Sequence, residues 1–294
     1  MTIGVSSVRV GAGMKPHRPM PVTHVRPNIY VGGLIVACPH SGRFYPPELI
    51  AGSRLDRIGL RRSEDAFVDI LFAKAPNFGA QLFINEFGRA FVDVNRCPNE
   101  LDPGLIQDLA DHASSSPSGR VDAGLGVIPR TVGDGIAIYR HMITYDEATQ
   151  RLAEVHIPWH VAIGSAMEKA IKRNGTAVLL DCHSMPTSAS GQPSVDIVLG
   201  DRFGESCAPV VTASAAEYLR NAGLSVKRND PFAGGYSTMR HANPLIKRHV
   251  LQIEINRSLY MVEGTFSLRT GFYQVQEVMS GLVQVLTGVS VNLS

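Results

Sequence analysis

Two histidines occur in the same local setting. Leu34-Ile35-Val36-Ala37-Cys38 runs apolar to Pro39 and delivers His40 into Ser41-Gly42, and Thr176-Ala177-Val178-Leu179-Leu180-Asp181 leads to Cys182-His183-Ser184-Met185-Pro186. Short apolar runs bounded by turn residues read as buried strands of an α/β sheet, and ligands of such sheets gather beyond the carboxyl ends of strands. A third run, His249-Val250-Leu251-Gln252-Ile253-Glu254-Ile255-Asn256, sets Glu254 near its end, while Glu64-Asp65 follow Ser63 at an expected helix start. Two imidazoles and a carboxylate arriving from separate elements are the protein ligands of a catalytic zinc, whose fourth position is left for water. Such an ion lowers the pKa of bound water from about 15.7 to about 7. A second, unligated carboxylate would accept the proton, and the chain offers acidic groups for both roles.

Other constellations are weaker. There is no HExxH helix and no short HxxE pair, since Ser41, Gly42 and Arg43 follow His40, so the ligands must come from distant segments. His156-Ile157-Pro158-Trp159-His160 would place two imidazoles on one helix face but lacks the glutamate of a zincin; packing beside the only tryptophan is the better expectation. Asn95-Arg96 after a strand could hold a substrate carboxylate bidentately, or Arg96 could pair with Asp93 or Asp102 for structure. Gly234-Gly235-Tyr236 fits a loop over a pocket or a simple turn. Cys182-His183-Ser184 permits a cysteine or serine hydrolase with His183 or His241 as base. Neighbouring strand residues point to opposite faces, however, and G-x-S-x-G is missing. Neither a P-loop nor GxGxxG supports nucleotide binding.

The elements that must position these groups alternate along the chain. Ser63 is an expected N-cap for a helix over 64–72, and residues 81–84 and 90–94 read as two strands around Gly88. Residues 99–135, rich in Asp, Ser, Gly and Pro, form a long loop region carrying Arg120 and Arg130. A mostly helical pattern over 144–173 is interrupted by Pro158; strands follow at 195–200 and 224–226, with helices at 205–221 and 265–286. This alternation predicts an α/β fold, a single domain with a central mixed, largely parallel sheet flanked by helices. A loose arm is expected at 1–22 and the folded domain at 23–294.

Composition narrows the function classes. The 294 residues are 44% hydrophobic and 18% charged with net charge +2, too little positive charge for a nucleic-acid footprint, and Arg61-Arg62 and Lys172-Arg173 are isolated pairs. No apolar stretch reaches the roughly 18 residues of a membrane helix, and the first 22 residues lack a signal-peptide core, so neither a membrane nor a nucleic-acid partner is expected. Cys38, Cys97, Cys182 and Cys207 are scattered, which favours reduced thiols in a cytoplasm.

Six segments in order carry a family resemblance. They are Pro39-His40-Ser41-Gly42; Ser63-Glu64-Asp65 with Val68-Asp69 and Leu71-Phe72; Val92-Asp93-Val94-Asn95-Arg96-Cys97-Pro98; Leu180-Asp181-Cys182-His183-Ser184-Met185; Gly234-Gly235-Tyr236; and Gln252-Ile253-Glu254-Ile255-Asn256-Arg257-Ser258-Leu259-Tyr260-Met261. Together they resemble the N-formylglutamate amidohydrolases, a group similar in fold and site plan to the zinc carboxypeptidases and aspartoacylases. The resemblance implies a zinc-exopeptidase-like domain hydrolysing a small N-acyl amino acid, with formate and glutamate as products, and a place in histidine degradation. It also implies one zinc ion (Zn2+) on His40, His183 and Asp65, with adjacent Glu64 as the alternative carboxylate, and Glu254 as general base. Asn95 and Arg96 match the substrate-carboxylate contact, and Arg130 and Arg240 are further anchors for a dicarboxylate. Another N-acyl amino acid as substrate, or a non-catalytic metal- or carboxylate-binding relative, are the competing readings; oligomeric state is left open.

Overall fold

The strand segments read from apolar runs assemble into one sheet. In the computed structural model, which describes residues 18–112, 118–191 and 194–293, seven strands run β1 (Val22–Val25), β2 (Leu34–Cys38), β3 (Gln81–Asn85), β4 (Ala177–Met185), β5 (Ile197–Gly200), β6 (Val226–Arg228) and β7 (Arg248–Asn256). Their order across the sheet is β1-β3-β2-β4-β7-β5-β6. The pairs β2/β3, β2/β4, β4/β7 and β5/β6 are parallel; β1/β3 and β5/β7 are antiparallel. The sheet is therefore mixed and mostly parallel. The expected arm lies outside the described residues up to 17, and its last residue, Val22, already pairs with Asn85.

Both faces of the sheet are covered, which explains why its central strands are apolar without alternation. Ile35 and Ala37 face one core with Trp159, Ile163 and Met167 of α1 (Ile157–Asn174). Leu34, Val36 and Cys38 face the other, against α2 (Pro209–Asn221) and α4 (Phe272–Asn292). A shorter helix, α3 (Tyr236–His241), follows the glycine pair and contacts β7. The helical pattern around Pro158 is continuous: a helix over Tyr145–Arg151 widens into a π turn at Leu152–His156 and returns to α geometry in α1. Proline has no N–H to give the preceding turn, and a π turn absorbs that loss.

Two local expectations fail, and the closing helix expected at 265–286 runs instead over Phe272–Asn292, with Ser267–Leu268 in a short strand. Ser63 ends a short 3-10 turn instead of capping a helix, Glu64 is extended, and Phe67 adopts a left-handed backbone (φ 67°), so the helix is confined to Val68–Leu71. Asp65 is held by its own N–H, which donates to the His40 carbonyl at 3.0 Å. Residues 90–94 are a turn region outside the sheet, where Asp93 N–H donates to Val127 O at 2.8 Å. Long-range backbone bonds overrode local propensity in both segments.

Candidate active site

Adjacent parallel strands β2, β4 and β7 end on the same side, so His40, His183 and Glu254 arrive together. His183 and Glu254 are register partners across β4/β7. These three and Asp65 line one cavity of about 370 Å³, within the range of small-molecule sites. Asn95 and Arg96 also line it. Arg130 and Arg240 do not: the Arg130 Nε donates to Asp102 at 2.8 Å, and Arg240 lies exposed beside the Tyr236 hydroxyl.

Three buried donor atoms face one another at the cavity floor. His40 Nδ1 is 3.2 Å from Asp65 Oδ2, His183 Nδ1 is 3.1 Å from the same oxygen, and the two Nδ1 atoms are 3.1 Å apart. Ligands about 2.0 Å from a tetrahedral ion are about 3.3 Å from each other, so this triangle matches the face of a zinc site. No other such cluster occurs among the described residues. The opposite ring nitrogens support the same fit. His40 Nε2 is 2.7 Å from Asp93 Oδ1, and His183 Nε2 is 3.1 Å from Asp181 Oδ2, which places a carboxylate behind each imidazole. The Asp181 carboxylate is buried and makes no hydrogen bond, and Asn95 Nδ2 also approaches His183 Nε2, at 3.2 Å. An imidazole bound to a cation through Nδ1 carries its proton on Nε2 and gives Asp181 the donor it lacks.

Glu64 is turned elsewhere. The Tyr45 hydroxyl donates to its Oε1 at 2.6 Å and Arg61 Nε to its Oε2 at 3.0 Å; burial still raises its carboxyl above the usual range. Glu64→Gln is therefore expected to keep its metal, measured by elemental analysis, and to lose about 1–3 kcal/mol of stability in denaturant titration through the broken hydrogen bonds. Loss of metal would reassign the carboxylate.

The electrostatics divide the acids into two kinds. Burial alone would raise Asp65, but hydrogen bonds from His183 and His40 hold it well below the usual carboxylate range. Asp93 behaves likewise, with burial outweighed by Arg89 and His40. Burial works against a charged His183, yet Asp181 and Asp65 raise it well above an ordinary histidine, so this floor favours positive charge. Glu254 goes the other way: burial first, then Asp65 and Asp181, push its carboxyl up to about 7 against the pull of His183 and Arg89. Its Oε1 accepts from Gln252 Nε2 at 2.9 Å, and Gln252 Oε1 accepts from Gly235 N–H at 2.9 Å. A carboxyl poised near neutrality is suited to taking and returning a proton.

Several participants escaped sequence reasoning. Arg89 lines the cavity and donates to Asp93 Oδ2 at 2.9 Å. Arg257 donates to Asp65 Oδ1 at 3.2 Å and to the Glu64 carbonyl at 2.7 Å, locking the carboxylate's second oxygen. Both lie in or near the matching segments; Arg89 reaches only four residues along the chain to Asp93, whereas no spacing rule links Arg257 to Asp65, 192 residues away. Gly235 is required by close approach, since a Cβ there would stand 2.4 Å from Asn95 Nδ2.

A mixed α/β sheet with a His-Asp-His cluster and a carboxylate raised toward neutrality at its strand ends is an arrangement suited to metal-assisted hydrolysis. The chain belongs to the N-formylglutamate amidohydrolase family, whose model matches residues 32–261, and it is a hydrolase of amide bonds. It is 25% identical over 262 residues to an N-formylglutamate deformylase of Pseudomonas putida, covering 86% of this chain and 91% of the relative. The crystal structure of an N-formylglutamate amidohydrolase from Ralstonia eutropha JMP134 superposes with a TM-score of 0.87 at 32% identity, covering 93% of this chain and 99% of that one. A protein of Agrobacterium tumefaciens shares the fold at a TM-score of 0.66 and 17% identity, covering 93% and 96% of the two chains.

Proposed function

We propose that this chain hydrolyses N-formyl-L-glutamate, or a closely similar N-acyl amino acid, to formate and L-glutamate with one zinc ion held by His40, Asp65 and His183. The observation that carries the reading is the triangle of donor atoms 3.1–3.2 Å apart beside Glu254, in a chain of this family. When bound, the ion supplies Lewis acidity and a water of lowered pKa. Glu254 accepts a proton from the attacking water and passes it to the departing amine, a positioned transfer of the kind Gln252 and Gly235 prepare by fixing the carboxylate. Asp93 and Asp181 orient the two imidazoles from behind.

Arg96 and Asn95 are read as the substrate-carboxylate contact. The Arg96 Nε is buried without a hydrogen bond, and its nearest carboxylate, Asp93, is 3.7 Å away. Burial together with Arg89 and Arg120 lowers the guanidinium to about 10 against the pull of Asp93, so it gains from an added anion. The role in histidine degradation follows from the same substrate reading.

The deciding experiment measures zinc content and formate release from N-formylglutamate, with N-formylglutamine and N-acetylglutamate alongside. Stoichiometric zinc and preferred turnover of N-formylglutamate are expected; equal turnover of all three would overturn the substrate assignment. Arg96→Ala should raise KM for N-formylglutamate by about 10–100-fold, the loss of a charge-assisted pair. An unchanged ratio of kcat/KM between the acidic and neutral side chains and an unchanged KM would remove Arg96 from the pocket.

A further inference from the structure

His156 and His160 take no part in the chemistry above, yet both rings are buried. Their spacing places both imidazoles on one helix face, and that face meets the segment Val94-Asn95-Arg96. His160 Nε2 lies 2.8 Å from the Val94 carbonyl and His156 Nε2 lies 2.9 Å from the Arg96 carbonyl. A carbonyl only accepts, so both Nε2 atoms carry protons. Neither Nε2 therefore has a lone pair for a metal. His160 Nδ1 then accepts from His241 Nε2, 2.9 Å away. Burial lowers His160 to about 2, His241 to about 4 and His156 in the same direction, so the three rings stay neutral and the order of donors is fixed.

The intervening residue is held from the other side. Tyr236 N–H donates to the Asn95 carbonyl at 3.4 Å and Ser237 N–H donates to Asn95 Oδ1 at 2.8 Å. Three successive carbonyls thus end on donors from α1, its preceding π turn and α3. The ring of Tyr236 closes over both histidines, with centroids 5.7 Å from His156 and 5.1 Å from His160.

From this geometry we infer that His156 and His160 are positioning residues that hold Asn95 and Arg96 at the cavity wall to receive the substrate's carboxylate, with His241 donating to His160 Nδ1. The inference rests on the carboxylate role proposed for Arg96. It gives the two histidines a function in recognition, although neither touches substrate.

A double-mutant cycle between His156 and Arg96 tests it on the zinc-loaded enzyme. His156→Leu, which deletes the donor, should raise KM for N-formylglutamate about tenfold with kcat held within about threefold. His156→Gln, whose Nε2 replaces the ring donor, should recover most of that loss. In an Arg96→Ala background, His156→Leu should add less than about a twofold further effect. If His156→Leu does not fold, His156→Asn, whose shorter amide falls short of the Arg96 carbonyl, takes its place in the cycle. Effects of His156 and Arg96 that multiply, or a glutamine variant as impaired as the leucine variant, would overturn the inference alone. An Arg96→Ala enzyme with unchanged KM and kcat/KM would instead overturn the carboxylate reading, and the inference with it.

Discussion

Glu254→Gln should lower kcat by about 10²–10⁴-fold while zinc content stays at one ion per chain. The amide keeps the shape of the side chain and its contact with Gln252, but it cannot take a proton from water. Because the donor triangle does not include Glu254, metal retention and loss of turnover should separate cleanly. The same substitution has a signature in stability. Burial raises the Glu254 carboxyl from an ordinary value near 4.5 to about 7, so the folded chain binds this proton more tightly than the unfolded chain. Metal-free parent protein therefore loses stability as pH rises from about 4.5 to 7, at up to about 1.4 kcal/mol per pH unit. Metal-free Glu254→Gln should be the more stable protein above pH 7, with the gap closing toward pH 4.5; thermal melts across that range check the sign. In the parent enzyme, kcat/KM should fall on the acid side as Glu254 protonates, with a bound cation drawing that limb below 7.

His183→Ala is expected to abolish both metal and activity. It removes one corner of the triangle and leaves Asp65 and Asp181 buried without the imidazole that faces both. Asp65 keeps His40 and Arg257, but Asp181 loses the one imidazole that faces it, and an uncompensated buried carboxylate costs several kcal/mol, so the variant should also melt earlier. Elemental analysis after zinc reconstitution is the direct measurement. One zinc per chain in the folded variant would sink the ligand assignment.

The contrast between these residues shows what the linear chain reveals. His40, His183 and Glu254 were legible because each sits on an apolar run, and in a sheet buried on both faces such runs are strands with a common end. Asp65 was legible as a residue but not as a conformation. The pattern after Ser63 is helical, whereas the backbone there is pinned by His40 O, by Arg257 on the Glu64 carbonyl and by the left-handed Phe67. The resemblance favoured Asp65 with Glu64 as the alternative; the structure puts Asp65 in the donor triangle and ties Glu64 to Tyr45 and Arg61, partners that no local rule supplies. Residues 90–94 alternate like a strand, but Asp93 bonds to a loop residue instead of a neighbouring strand. Arg257 was missed for a related reason: a guanidinium acts at the end of a long side chain, and its target, Asp65, is set by tertiary packing, while Arg89 was missed although its partner Asp93 is only four residues on. Arg130 shows the converse, a basic residue in a promising loop whose charge is taken by Asp102.

The nine-residue register between β4 and β7, from Ala177 opposite Arg248 to Met185 opposite Asn256, has a thermodynamic consequence. Interior ladders of this length belong to the last cooperative unit to open, so His183 and Glu254 come apart only when the domain as a whole unfolds. A cation on His183, which this ladder carries, would be linked to the global transition, and every amide that exchanges through it would gain RT ln(1 + [metal]/Kd) of protection.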